Sequence, residues 1–413
     1  MKQMTDKEYG SLENLYKYLH SNPELSGCEE RTSGRMAEEL ETAGFKVTRH
    51  VGGSGVVGVL KHREGPTVMV RADMDALPIK EETGLPYAST IKTKDKDGNE
   101  TGVMHACGHD MHMTVFVGAA RLLARRKSDW RGTLMMIAQP EEESLTGAKR
   151  MLKDGLFKRF PKPDYMLGLH VMPFPAGMVG CHEGNWFAGT TVLDVTVLGQ
   201  GGHAARPQET KDPVVLAAQI ILSLQTIVSR EIDPLDVAVV TVASIRGGQK
   251  SNIISDKVRM KLNIRYFNEV TRDKIIVSIK RIAKHTALAA GLPERLTPIV
   301  TIGGSVSPLY NDPELTRKMV VVLRKTLGEN GVTGIPRMTG SEDFSGFGTV
   351  EPKIPIFFFG LGMIDPKSWK SNIKGKRANA PLHSSRFAPT PEPTIRTGVA
   401  AMTTAVLELL GKG

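Results

Sequence analysis

The chain has 413 residues, enough for two to three domains at roughly 150 residues each, and its 40% hydrophobic and 24% charged content excludes a disordered or low-complexity protein. The formal charge is +10, but Lys and Arg are scattered, with Arg125-Arg126-Lys127 and Lys374 to Arg377 the densest clusters, and 6% aromatics are too few for base-stacking platforms, so no nucleic-acid partner is expected. No apolar run approaches the roughly 20 residues of a membrane span, residues 1–13 lack a secretory apolar core, and three cysteines suit a reducing compartment; the expected setting is cytoplasmic, with no membrane partner.

In chain order, Leu12, Leu15, Tyr16 and Leu19 recur at helical spacing within residues 6–21, and a second helix from about Glu29 ends at Gly44, a C-cap position. Phe45–Val47, Val56–Leu60 and Thr67–Val70 read as strands, the last running into Arg71-Ala72-Asp73-Met74-Asp75. A helix from Asp110 to about Arg126, a strand Thr133–Ala138, a helix Thr146–Lys153 and a strand Tyr165–Leu169 follow. That alternation predicts the α/β class, with a mixed, largely parallel sheet flanked by helices.

After residue 187 the character changes. Thr190–Leu198, Val237–Ile245, Lys257–Phe267 and Leu296–Ile302 read as strands, with helices Pro213–Arg230 and Thr271–Ala290 between them. The order βαββαβ predicts an inserted ferredoxin-like α+β module. Past Asn311 the first pattern resumes, with a helix to about Leu327, a strand Ile354–Phe359 and a helix from about Glu392 to Leu410. The expected domains are 1–187 plus 304–413, a discontinuous α/β domain, and 188–303, the insert.

Polar clusters fall at the carboxyl ends of the predicted strands, the edge where ligands bind in open α/β sheets. Asp73 and Asp75 follow one strand, Glu141-Glu142-Glu143 follow the next after Gln139-Pro140, and His170 closes the third. Cys107 and His109 lie just before a helix, in the segment Met104 to His112 that packs one thiol, three imidazoles and a carboxylate into nine residues. Leu382-His383-Ser384-Ser385-Arg386-Phe387 supplies a further histidine. Thiolate, imidazole and carboxylate are the ligands of zinc and of manganese, cobalt or nickel. The candidates at this edge are therefore Cys107, His109, Glu142, Glu143 and His170, with His383 the further histidine; five protein ligands exceed what one open tetrahedral site takes and suit two divalent ions sharing a bridging ligand and water. If Glu143 binds metal, Glu142 is left as the general base that carries the water's proton to a leaving nitrogen. The bland alternative is that Glu141 to Glu143 are an acidic helix start, a placement the helix dipole favours.

The motifs Arg71-Ala72-Asp73-Met74-Asp75-Ala76-Leu77-Pro78, His105-Ala106-Cys107-Gly108-His109-Asp110, Gln139-Pro140-Glu141-Glu142-Glu143, Gly168-Leu169-His170, Gly201-Gly202-His203-Ala204-Ala205 and Gly340-Ser341-Glu342-Asp343-Phe344 resemble, in order and over nearly the whole chain, the hippurate hydrolase and auxin-conjugate (indole-acetyl-amino-acid) hydrolase branch of the di-metal amidohydrolases and carboxypeptidases. The resemblance implies a metal-dependent hydrolase of N-acyl amino acids with a di-metal catalytic domain and a lid that also forms a homodimer. By matching positions it implies Cys107 bridging both metals, His109 and His170 completing one site, Glu143 and His383 the other, and Glu142 as acid and base. It further implies His203 as an oxyanion donor from the partner's lid, Asn252 and Arg265 on the substrate carboxylate, and Asp73 orienting the metal ligands. Zinc or manganese is the expected metal, with cobalt or nickel as alternatives.

Two departures from that branch matter. It commonly has a small residue at Glu141 and a glycine at Ser144, so a more acidic and narrower pocket rim is expected, and Glu141 keeps open a rival reading as a di-metal dipeptidase or aminopeptidase that binds a free ammonium. Relatives outside the branch have a metal-binding histidine where Arg71 stands. His20, His50, His62, His105, His112, His182, His285, Cys28 and Cys181 are assigned to structure or surface. Trp186, Phe187 and the loop from Met363 to Lys376 are expected to shape the choice of acyl group and side chain.

Overall fold

The computed structural model describes residues 2–95, 98–373 and 380–412; the cluster Lys374 to Arg377 lies outside them, and the stretch expected as a loop from Met363 to Lys376 is, as far as residue 373, the end of a strand and the helix Pro366–Ile373. The chain divides into two compact units. One comprises Met1–Gly184, Tyr310–Pro336 and Gly346–Gly413, and the other comprises Asn185–Leu309 and Arg337–Ser345. The sequence pattern had left Arg337–Ser345 with the first unit.

The first unit is built on an eight-stranded sheet. Its four central strands, Gly132–Gln139, Thr67–Asp73, Tyr165–Pro175 and Ile356–Ile364, are parallel. They read as unbroken apolar runs because both faces are covered, and every residue of Gly132–Gln139 and Ile356–Ile364 is buried. Lys46–Thr48 and Val56–His62 extend one side in antiparallel fashion. Val179–Cys181 and Val332–Gly334 extend the other; three residues each are too few to show a period in sequence. The helix His109–Arg125 is buried from His109 to Ala120, the mark of a core helix, and packs with Lys2–Ser21 and Pro391–Leu410.

The second unit carries a four-stranded antiparallel sheet in the order Ala238–Gly247, Lys257–Tyr266, Gly189–Leu198, Ile299–Val306. With the helices Pro213–Thr226 and Glu269–Ala289 between strands, this is the expected ferredoxin-like arrangement. Strand Lys257–Tyr266 alternates exposed charge with buried Val258, Met260, Leu262, Ile264 and Tyr266, so one face meets the helices. Asp212 caps its helix by accepting from Val214 N–H at 2.8 Å, with Pro213 in the first turn, the placement each residue favours.

One expectation needs correction. Pro213–Glu231 spans 19 residues at mean hydropathy 1.4, long and apolar enough by length and composition to cross a membrane. The run is apolar because Leu216, Ala217, Ile220, Leu224 and Ile227 lie in the unit's own core, while Val214, Val215 and Leu222 stay exposed on the other side.

Candidate metal centre

Parallel pairing aligns the strand ends that carry the polar residues. Asp73 is the last residue of its strand rather than following it, and pairs in register with Gln139. His170 does not close its strand either. Pairing with Ile356–Ile364 continues through Val171 and Met172 to Pro175, so His170 sits inside a paired stretch rather than at its end. Glu141 to Glu143 are not a helix start, since the helix begins at Gly147. They form a tight turn with left-handed φ at Glu141 (56°) and Leu145 (55°). Asp75 fastens that turn, its two carboxylate oxygens accepting from Glu142 N–H at 3.1 Å and Glu143 N–H at 3.0 Å. Gly108, at φ 84°, turns the chain into the His109 helix; a Cβ there would lie 2.4 Å from Val171 Cγ2, so only glycine fits.

These elements bring all five predicted ligands together. Cys107 Sγ lies 3.4 Å from His170 Nε2 and 3.4 Å from His383 Nε2. Glu143 Oε1 lies 3.5 Å from His383 Nε2 and 4.0 Å from His109 Nε2. The triads Cys107, His109, His170 and Cys107, Glu143, His383 each present one ligand atom within 4.8 Å of the others, so Cys107 belongs to both. Glu142 Oε2 stands 3.9 Å from His109 Nε2.

Hydrogen bonds fix which nitrogen each ring offers. His109 Nδ1 contacts the carbonyl of Asp75 at 2.8 Å and His170 Nδ1 that of Val171 at 2.7 Å. A carbonyl only accepts, so each Nδ1 carries a proton and Nε2 is the nitrogen turned toward the cluster, where it can bind a metal once it holds no proton itself. His109 Nε2 and Glu143 Oε1 are buried without a hydrogen-bond partner, a costly arrangement for polar atoms that a cation between them removes. The donor set and these orphaned atoms fit a divalent metal. His112, which also sits beside Asp73 and His109, is used up: its Nε2 accepts from Val171 N–H at 2.9 Å and its Nδ1 donates to Asp73 Oδ1 at 2.7 Å.

Electrostatics point the same way. Burial, reinforced by Glu143, pushes the Cys107 thiol well above its usual range. Burial also raises Glu143, against the pull of His109 and His383. Burial opposes charge on His109, but Asp73 and the bond to Asp75 outweigh it and hold its pKa high. These are the signs of an anion-rich pocket waiting for positive charge. Asp73 itself is charge-paired with Arg71 Nη1 at 2.7 Å and accepts a hydrogen bond from the neutral His112 ring, and Arg71 Nε donates to Gln139 at 2.9 Å.

Glu141 departs from expectation. Its carboxylate pairs with Arg150 and accepts from Thr146 Oγ1 at 2.9 Å, and its N–H is held by Glu29 at 3.0 Å. It is neutralised in the turn and does not make the rim acidic. Glu29 and Asp75 escaped sequence reasoning as organisers of this turn; Asp75 could have been found from its place beside a strand end, whereas Glu29 is 112 residues from Glu141 and carries no local signal.

His203, Asn252 and Arg265 belong to the second unit. His203 and Asn252 are exposed and meet on one small ribbon, in which His203 pairs with Ile253 and Ala204 N–H donates to the Asn252 carbonyl at 3.1 Å. Arg265 is half-buried, bonded to Asn263 at 2.8 Å and Ser341 Oγ at 2.6 Å. Trp186 and Phe187 are buried.

Comparison with known proteins fits this geometry. Residues 69–406 match the peptidase family M20/M25/M40. The chain is 39% identical over 356 residues to an IAA-amino acid hydrolase ILR1-like 2 of Arabidopsis thaliana, covering 85% of this chain and 76% of that protein. It is 35% identical to an N-acetyldiaminopimelate deacetylase of Limosilactobacillus reuteri over 97% of both chains, and 36% identical to a hippurate hydrolase of Campylobacter jejuni over 82% and 85%. Among solved structures, one ascribed to an aminohydrolase of methicillin-resistant Staphylococcus aureus superposes with TM-score 0.85 at 31% identity over the full length of both. The YXEP protein of Bacillus subtilis, described as a dinuclear metal binding peptidase, gives 0.76 at 26% identity over 98% and 99%.

Proposed function

The chain belongs to the peptidase family M20/M25/M40, hydrolases of amide bonds, and from that premise we propose that it cleaves the acyl amide of N-acyl amino acids at a centre of two divalent ions. The observation that carries this reading is the convergence of Cys107, His109, Glu143, His170 and His383 with buried, unpartnered His109 Nε2 and Glu143 Oε1. Cys107 would be shared by both ions, His109 and His170 would hold one, and Glu143 and His383 would hold the other. When bound, such ions polarise the scissile carbonyl and acidify the attacking water, zinc and manganese being the leading choices.

Glu142 then takes the water's proton and delivers it to the departing nitrogen. Its backbone is pinned by Asp75, so the carboxylate acts from a fixed turn. Asp73 and the Asp75 carbonyl orient the imidazoles. His203 is the oxyanion donor: its Nδ1 accepts from Ala205 N–H at 3.1 Å, which leaves Nε2–H to donate. That role belongs to a second copy of the chain in a homodimer, supported by an open edge strand, Ala238–Gly247, able to pair with another copy. Arg265, beside Asn252 in function, meets the substrate carboxylate.

The relatives' names support an N-acyl amino acid, whether the acyl group is acetyl, benzoyl or indole-acetyl. The rival aminopeptidase reading loses its one support because Glu141 is already paired with Arg150. The test is a panel of N-acyl amino acids beside free dipeptides, with metals measured on the purified protein. Turnover of dipeptides alone, or full activity without metal, overturns the reading.

A further inference from the structure

His20, near the end of the helix Lys2–Ser21, is fully buried. Its Nδ1 lies 2.7 Å from Asp110 Oδ2 and its Nε2 3.0 Å from Glu81 Oε1. Ionised carboxylates accept and do not donate, so the ring holds both protons and sits as an imidazolium between two anions. Burial works against that charge, but the bonds to Asp110 and Glu81 push its pKa up to about 10. The rings of Tyr16 and Tyr87 pack against it, with centroids at 5.7 and 5.3 Å.

One arm of this clamp ends on a segment that carries proposed metal ligands, and the other on a loop bonded to such a segment. Asp110 follows His109 directly, and its other oxygen accepts from Met111 N–H at 2.8 Å in the first turn of the helix. Glu81 is fixed by Ser89 N–H at 2.6 Å. Its neighbour Glu82 donates its N–H to the Ser385 carbonyl at 2.7 Å and accepts from Ser385 Oγ at 2.9 Å. Ser385 lies two residues beyond His383, whose own N–H donates to the Ala106 carbonyl at 2.8 Å. Cys107 and His383, 276 residues apart, meet with neither in a strand or a helix.

We infer that His20 is a positioning residue, a two-armed cation that sets the separation between the Cys107–His109 segment and the His383 loop. The inference rests on the two-metal reading above. It identifies what keeps ligands from distant loops at one sulfur before any ion arrives. A glutamine at position 20 cannot replace it, because its amide has donors on one side only.

The experiment titrates metal-free wild type, His20→Gln and Glu81→Gln with cobalt. It reads the thiolate-to-cobalt absorption, affinity by competition with a chromogenic chelator, and melting of the metal-free forms. Loss of groups that orient metal ligands typically weakens affinity about 10- to 100-fold, and His20→Gln is expected to do so for both ions with an altered absorption. Glu81→Gln, which leaves the Asp110 arm intact, is expected to weaken the ion that needs His383 and spare the other. If His20→Gln folds, melts lower, yet binds cobalt with wild-type affinity and spectrum, His20 is only a structural ion pair. Should His20→Gln fail to fold, wild-type binding by Glu81→Gln overturns the inference. A wild type that binds no cobalt instead sinks the two-metal reading itself.

Discussion

At the inner end of the cluster, His109 and His170 are buried and each donates Nδ1–H to a main-chain carbonyl, one from the start of a core helix and one from within a central strand. At the outer end, the His383 side chain is 54% exposed, its backbone is left-handed at φ 64°, and loop-to-loop bonds place it. The inner ligands are preorganised by hydrogen-bonded secondary structure, the outer one by contacts that a single substitution can loosen. On the two-ion reading, an ion held by Glu143 and His383 is therefore expected to bind more weakly and to leave first.

The largest expected effect tests whether roles divide within one turn. Glu142→Gln should retain both ions and lose about 10² to 10⁴-fold in turnover, whereas Glu143→Gln should lose the outer ion; the same metal content and rate in both would break the division. Next, dialysis of wild type against increasing chelator should pass through a plateau at one ion per chain, and His383→Ala should start at that plateau. Simultaneous loss of both ions would mean that the two ends do not differ as described.

A pH series sharpens the link between the ends. His20 is raised from an unfolded value near about 6.5 to about 10, so its stabilisation is fully present below about pH 6.5 and is lost as pH rises through about 10. At roughly 1.36 kcal/mol per unit the metal-free protein should lose a few kcal/mol over that window. His20→Gln should flatten the loss; an equally steep profile would show that other groups cause it.

Gly108→Ala attacks the turn that joins Cys107 to the inner ligand His109. The left-handed backbone costs about 1 to 2 kcal/mol for a residue with a Cβ, and the overlap with Val171 adds to it, so a lower melting temperature and weaker binding of the inner ion are expected. A variant as stable as wild type would show that this turn is not rigid. Smallest of all, Arg150→Ala should shift stability by within about 1 kcal/mol, since Arg150 is half exposed and such pairs contribute little. If that variant gained activity on dipeptides, Glu141 would be a rim residue after all.

The sequence by itself determined the fold class, the ferredoxin-like insert, and the five residues that the fold brings together. It could do so because apolar periodicity reports which elements are buried, and because thiol, imidazole and carboxylate recur at strand ends, before a helix and in spaced motifs that resemble a di-metal hydrolase family. It misplaced His170 at a strand terminus, since one strand's length depends on the neighbour it pairs with. It made Glu141 a rim charge, since only folding brings Arg150 to the carboxylate and Glu29 to its N–H. The tertiary structure also decided the protonation of each ring and the buried His20 clamp. A tautomer is set by whichever carbonyl or carboxylate packs against the nitrogen, and those partners lie from 1 to 90 residues away along the chain.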